Sequence, residues 1–460
     1  MIEAPRLLLA APASGCGKTT VTCALLQAWK DRGLAPMAFK SGPDYLDPMF
    51  HTTALGVPSR NLDLFLMGEE AVCRSLATHA AGHGLSLLEG AMGYYDGISL
   101  SSRASAWDLA RTTQTPAVLV VDGRGAARSI AAVVKGFQAL EEENMLRGVL
   151  LNRVSPMLYP RLKACIEEET GLTVYGFLPK LPDCTLESRH LGLVSAGEVA
   201  DLREKLRRLA TQAEQTVDLD GLLALARTAP ALETPQPRPV VADGERPVIA
   251  VAQDDAFCFY YADALALLEE LGAELQFFSP LTDRSLPEGC AGLYLGGGYP
   301  ELHARTLAEN QTLLHEIHEK VLGGLPTVAE CGGFLYLQRT LTDGDGRYDW
   351  RMAGVVSGEA RNTEKLGRFG YVTLTAQKDG LLCGAGESLP AHEFHYWDST
   401  TPGRDFRAQK PLSERGWDCA FHTPTLYAGF PHLHFCGCLA AAARFVAACG
   451  TYKREKEGSL

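Results

Sequence analysis

The stretch Pro12-Ala13-Ser14-Gly15-Cys16-Gly17-Lys18-Thr19-Thr20 constrains this chain more than any other. It follows the apolar run Leu7–Ala11 and leads into a helical pattern over Thr19–Arg32 that Gly33 closes. A glycine-rich turn between a strand and a helix collects backbone N–H groups at the positive end of the helix, where phosphate is held. Ser14, Gly15, Cys16, Gly17, Lys18, Thr19 and Thr20 are therefore the expected contacts to ATP. Lys18 would reach the β/γ oxygens, and Thr19 would ligate Mg2+. Pro12 stands where the usual pattern begins with glycine, so the strict motif is broken at one position.

A strand–loop–helix opening of this kind belongs to α/β architecture. Apolar runs at Leu85–Glu89, Ala117–Asp122 and Gly148–Asn152 alternate with helical patterns, as in a parallel sheet covered on both faces. At 460 residues the chain is too long for one growing core, and two domains follow. The first, a P-loop parallel-sheet domain, is expected over residues 1–227. The proline-rich, aperiodic stretch Thr228–Glu245 reads as a linker. A second α/β domain is expected over residues 246–449, with strands at Val248–Ala252, Gly292–Leu295 and Thr327–Glu330 and a helix near Ala262–Leu271. Residues 450–460 read as a tail, solvated from Lys453 onward.

Charge limits the partners. A formal net charge of -12 argues against nucleic-acid binding, which needs a basic stripe. An anionic substrate must therefore meet a local basic pocket. Thirteen scattered cysteines with no C-x-x-C pair predict reduced thiols and a cytoplasmic setting. The start of the chain lacks a basic n-region and cleavage site, and Leu7–Ala11 is too short to span a bilayer, so no membrane partner is expected.

Three further clusters carry chemistry in the first half. Lys40-Ser41-Gly42-Pro43-Asp44-Tyr45-Leu46-Asp47-Pro48 follows an apolar strand. Its two carboxylates fit either a capped turn or a magnesium and carboxylate site whose charge Lys40 offsets. Glu89 ends a buried strand, where side chains point into the ligand crevice of an α/β sheet. We expect Thr19, Asp44 and Glu89 at the metal, Asp47 in the catalytic step, and Lys40, Tyr45, Leu46 and Asp96 at the substrate. Asn152, also at a strand end, could read adenine or simply close the strand.

In the second half, Pro326-Thr327-Val328-Ala329-Glu330-Cys331-Gly332-Gly333 sets a cysteine between an apolar strand and a helix. The glycines allow the sharp turn of a nucleophile elbow. A helix N-terminus lowers a thiol pKa, so Cys331 can act as a thiolate. Phe430-Pro431-His432-Leu433-His434 offers two histidines at period-two spacing, either of which could be the base. Gly297 and Gly298, within Leu295-Gly296-Gly297-Gly298-Tyr299, supply backbone amides suited to an oxyanion hole. His392-Glu393-Phe394-His395 lacks helical metal-site spacing and reads as strand or substrate pocket.

The segments KSGPDYLDPMFH, EGAMGYYDG, AFCFYY, GGGYPE, AECGGFLYL and HEFHYW, in this order and spacing from about Leu7 to Cys449, resemble the cobyrinic acid a,c-diamide synthase family. The resemblance implies a dethiobiotin-synthetase-like ATP domain followed by a class I glutaminase-like domain. It implies ATP, magnesium and glutamine used to amidate the a- and c-carboxylates of cobyrinic acid or a related tetrapyrrole in cobalamin biosynthesis. It places Cys331 as nucleophile, His432 as its histidine, and His434 where class I glutaminases keep an acid. Hydrogenobyrinic acid and nickel-sirohydrochlorin are alternative substrates on the same motifs, and homodimer formation is left open. A regulatory or partition ATPase with an inactive glutaminase domain is the rival from another class.

Overall fold

The computed structural model describes residues 1–184, 196–236, 246–363 and 365–457. They divide into two compact units: Met1–Leu64 with Gly68–Gln236, and Phe65–Met67 with the chain after Gln236.

The first unit is built on seven strands: β1 (Arg6–Ala10), β2 (Pro36–Ser41), β3 (Ser59–Leu62), β4 (Leu85–Glu89), β5 (Ala117–Asp122), β6 (Leu146–Asn152) and β7 (Thr173–Leu178). They lie in the order β3-β2-β4-β1-β5-β6-β7, and every pairing is parallel. Helix α1 (Lys18–Asp31) leaves β1 through the glycine loop and buries Trp29, Leu25 and Leu26. Runs such as Leu7-Leu8-Leu9 and Val118–Val121 are apolar at every position because helices cover both faces. Register sets Lys40 beside Glu89 across β2 and β4, and Asp122 beside Asn152 across β5 and β6. Four chemically distinct strand ends thus lie on the carboxyl-terminal side of the sheet.

Two expectations about segment boundaries are corrected. The linker expected from Thr228 is, up to Gln236, part of the first unit. Leu232 exchanges two backbone hydrogen bonds with Ile2 at 2.7 and 2.9 Å, and Pro230 O accepts from the fully buried Arg6 at 2.8 Å. Residues 237–245 lie outside the described residues. The tail expected from Lys453 is instead the end of a helix, Leu439–Glu457, whose Lys, Arg and Glu residues are good helix formers. Residues 458–460 lie outside the described residues.

The second unit has a six-stranded sheet in which β8 (Val248–Ala252), β9 (Glu274–Phe278), β10 (Cys290–Leu295) and β11 (Thr327–Glu330) are joined by Leu426–Gly429 and Phe421–His422. Only the Phe421–His422 edge is antiparallel. A separate five-stranded antiparallel sheet contains Ser388–His395, and this strand pairs with His432–Leu433 so that His392 faces His432. The sequence carries no signal for this second layer beyond its own alternation. No helix among the described residues is long and apolar enough to cross a membrane.

Candidate active sites

In the first unit, a cleft of about 330 Å3 is lined by Ser14, Gly15, Gly17, Lys18, Thr19, Thr20, Lys40 and Glu89, among others. Gly17 is in the left-handed region at φ 92°, and a Cβ there would sit 2.1 Å from Asn152 Nδ2. Only glycine allows the loop and the β6 strand end to come this close. Asn152 Nδ2 donates to Cys16 O at 2.9 Å, while its Oδ1 accepts from Arg153 N at 3.0 Å. The amide expected to read adenine is thus engaged in bracing the loop. Arg153 completes the brace, donating to Gly15 O at 2.9 Å and pairing with Asp122 at 2.7 Å.

Beside the loop is a buried charge array. Lys40 Nζ bridges Glu89 at 2.9 Å and Asp47 at 2.5 Å, and Thr19 Oγ1 donates to Glu89 Oε1 at 2.6 Å. Burial favours neutral Lys40, but Glu89, Asp47 and Asp44 overturn it and raise the ammonium's pKa. Lys18 is lowered by burial and by the charge of Lys40. Burial and the neighbouring Asp47 push Asp44 up, while Lys40 overcomes burial to hold Asp47 down. The two carboxylates are thereby shifted in opposite directions, Asp44 taking up a proton more readily than Asp47. Asp44 Oδ1 also accepts from Leu46 N at 2.9 Å, the hydrogen bond expected of a capped turn. Asp96 is exposed and caps Gly93 N at 2.8 Å.

His51 went unassigned in the sequence although it closes the KSGPDYLDPMFH segment. Its Nε2 lies 3.7 Å from Glu89 Oε2, both fully buried. Among the described residues, Glu89 Oε2 has no hydrogen-bond partner. An orphaned carboxylate oxygen next to the Thr19 hydroxyl fits magnesium, which takes one or two protein oxygens and draws the rest from phosphate and water. No group of three His, Cys, Asp or Glu among the described residues could hold a metal unaided.

The second unit carries the sulfur. Cys331 follows β11 with φ 46° and ψ -99°, a strained conformation for a residue with a Cβ, and starts the short helix Gly332–Tyr336. Gly429 O accepts its N–H at 2.8 Å and fixes the turn. The glycine cluster packs against this elbow. A Cβ on Gly332 would lie 3.0 Å from Gly298 N, and one on Gly297 would lie 2.5 Å from His432 Cε1. Gly298 therefore lies against the residue that follows Cys331, and Gly297 against His432.

The structure separates the two histidines. His432 is 3% exposed. Burial would lower its pKa, yet hydrogen bonding and charge from Cys331 and Glu330 push it up to about 10. His434 is fully buried, stacked on Tyr261 at 4.5 Å, and lowered to about 4 by burial, with Asp263 as its charged neighbour. The placement of His434 as the acid of the nucleophile site is corrected accordingly. The chain leaves extended pairing after Leu433, so period-two alternation no longer keeps His434 on the face of His432. The carboxylate beside His432 is Glu330, with Oε2 at 3.8 Å from Nδ1. His392 and His395, held down to about 3 and 4 chiefly by burial, and Glu393, pushed up to about 7 by burial, complete the surroundings.

Comparison with known proteins agrees with this two-part layout. Residues 7–194 match the CobQ/CobB/MinD/ParA nucleotide binding domain, and residues 248–437 match the CobB/CobQ-like glutamine amidotransferase domain. A cobyrinate a,c-diamide synthase of Thermoplasma volcanium is 38% identical over 99% of this chain and 100% of its own length. The cobyrinate a,c-diamide synthase of Salmonella typhimurium is 39% identical over 93% of this chain and 94% of its own length. A hydrogenobyrinate a,c-diamide synthase of Thermobifida fusca is 38% identical over 98% of both chains. Matching a nucleotide-binding and a glutamine amidotransferase domain model in turn, and aligned over nearly its whole length with these synthases, the chain belongs to the cobyrinate a,c-diamide synthase family of glutamine amidotransferases.

Proposed function

We propose that this chain uses ATP and glutamine to convert the a- and c-carboxylates of cobyrinic acid into amides. The observation that supports this most is the contact of His432 with Cys331 at a glycine-bordered elbow. It supports a working thiol–histidine pair in the glutaminase half and counts against the regulatory ATPase with an inactive second domain. Cys331 attacks the glutamine amide, His432 gives a proton to the departing ammonia, and water then hydrolyses the thioester to glutamate. Gly297 and Gly298 border the position where the amide oxygen gains charge.

In the first unit, Ser14 to Thr20 hold the triphosphate and Lys18 stands at the phosphoryl oxygens. A substrate carboxylate attacks the γ-phosphorus, ADP leaves, and the resulting acyl phosphate gives its phosphate up when ammonia adds to the carbonyl carbon. Thr19 and Glu89, with Asp44 nearby, would hold magnesium, which supplies positive charge to the phosphates when bound. Lys40, fixed between Glu89 and Asp47, holds a cation where the anionic substrate meets the nucleotide. Asp47, kept ionised, is the carboxylate available to receive a proton from the ammonia nitrogen. Tyr45, Leu46 and Asp96 follow as substrate contacts.

Hydrogenobyrinic acid is the second substrate reading, favoured by the Thermobifida fusca relative. Mass spectrometry of cobyrinic acid incubated with the protein, ATP, magnesium and glutamine tests the proposal. Two ATP-dependent carboxylate-to-amide conversions support it, and inertness toward both corrinoids refutes it.

A further inference from the structure

We propose that Glu330, the residue directly before the nucleophile, is the positioning carboxylate of the glutaminase site and orients His432 toward Cys331. The proposal deepens the reading of Cys331 and His432 given above and rests on it.

Glu330 ends β11, a strand buried at all four positions, and is itself 1% exposed. A carboxylate there loses its hydration, and an apolar residue would serve the sheet alone at lower cost. Its contacts point to a different use. Oε1 accepts Leu433 N at 3.1 Å, Oε2 accepts the Tyr294 hydroxyl at 3.3 Å, and Oε2 also faces His432 Nδ1 at 3.8 Å. The bond to Leu433 N holds the carboxylate on the residue next to the histidine. The strand that delivers the thiol is thereby tied to the strand that delivers its base.

Nδ1 is turned to Glu330, which leaves the other ring nitrogen for the hydrogen bond that His432 makes with Cys331, and Gly297 closes on Cε1 from the side. The geometry is that of an acid–histidine–thiol chain in which the acid comes from the nucleophile's own strand. His434, two residues past the base, faces Tyr261 and Asp263 and cannot fill this place. The other ionisable groups around His432 are His392 opposite it on the paired strand, Glu393 and His395 farther along that strand, and Tyr294 on β10. None of these is a carboxylate in contact with Nδ1.

The test compares wild type, Glu330→Gln, Glu330→Asp and Cys331→Ala in the full-length protein. Three readouts are glutamine hydrolysis, amidation driven by ammonium salts, and the pH profile of iodoacetamide alkylation at Cys331. Glutamine kcat of Glu330→Gln is expected to fall on the order of 100-fold with KM for glutamine within about twofold. Its ammonia-driven amidation should match wild type, and Glu330→Asp should recover part of the rate. Without the carboxylate the thiolate–imidazolium pair is less favoured, so the alkylation midpoint should move to higher pH. Wild-type glutamine turnover in Glu330→Gln, or equal loss of glutamine- and ammonia-driven amidation, overturns the proposal. Glutamine hydrolysis by Cys331→Ala would instead overturn the nucleophile assignment beneath it.

Discussion

Thr19, Lys40 and His51 all converge on Glu89, a carboxylate with no solvent exposure. Replacing it with glutamine keeps the shape, removes the charge that offsets Lys40 and leaves the buried ammonium with Asp47. We expect Glu89→Gln to slow ATP-dependent amidation on the order of 100-fold or more while the macrocycle still binds, read by ADP release and by equilibrium titration. His432 gives a pH prediction of definite sign. Its folded pKa, about 10, is raised above the unfolded value. The stabilisation it contributes is complete below an ordinary histidine pKa of about 6.5 and fades as pH rises through the folded value. A denaturation series from pH 6 to 10 should show this loss in wild type and a smaller one in Cys331→Ala, which removes the first of the interactions that raise it.

At the level of elements, the glycine loop and the strand end it leans on act as one part. Gly17→Ala would place a methyl group against the Asn152 amide and force a side chain into φ 92°. Calorimetry should show loss of nucleotide affinity together with a destabilisation of about 1–3 kcal/mol. Loops of this kind were legible because their chemistry is local: apolar strand, glycines, then a helix. Strands β4, β5, β8 and β11 fall where their apolar runs begin and end. The antiparallel sheet around Arg368–Ala376 and Ser388–His395 was legible only at His392–His395, read as strand or substrate pocket; the pairing of that strand with His432–Leu433 joins residues about forty positions apart and leaves no local signal. Glu330 and His51 escaped for a related reason. Each sits in a conspicuous segment, but the partner that gives it meaning, His432 or Glu89, lies far along the chain. The end of the last helix was missed because charge was read as solvation, although Lys, Arg and Glu also favour helix.

On the scale of the whole molecule, each unit buries a core of its own, one around Trp29 and Leu119's neighbours Val118 and Val120, the other around Phe257, Phe334 and Leu295. A nucleotide analogue at a hundredfold excess over its Kd should stabilise the first unit by about 2.7 kcal/mol. Hydrogen exchange in peptides covering β1 and α1 would report it. The second unit contains the opposite case, a place where the molecule is less stable than its own sequence neighbourhood allows. At φ 46° the residue between Glu330 and Gly332 favours glycine. Cys331→Gly should therefore resist heat better than Cys331→Ala, a difference calorimetric melting can resolve. In a population screened for thermal tolerance alone, that codon would drift toward the variant that has forgotten glutamine, and only continued demand for the amide keeps a sulfur in the turn.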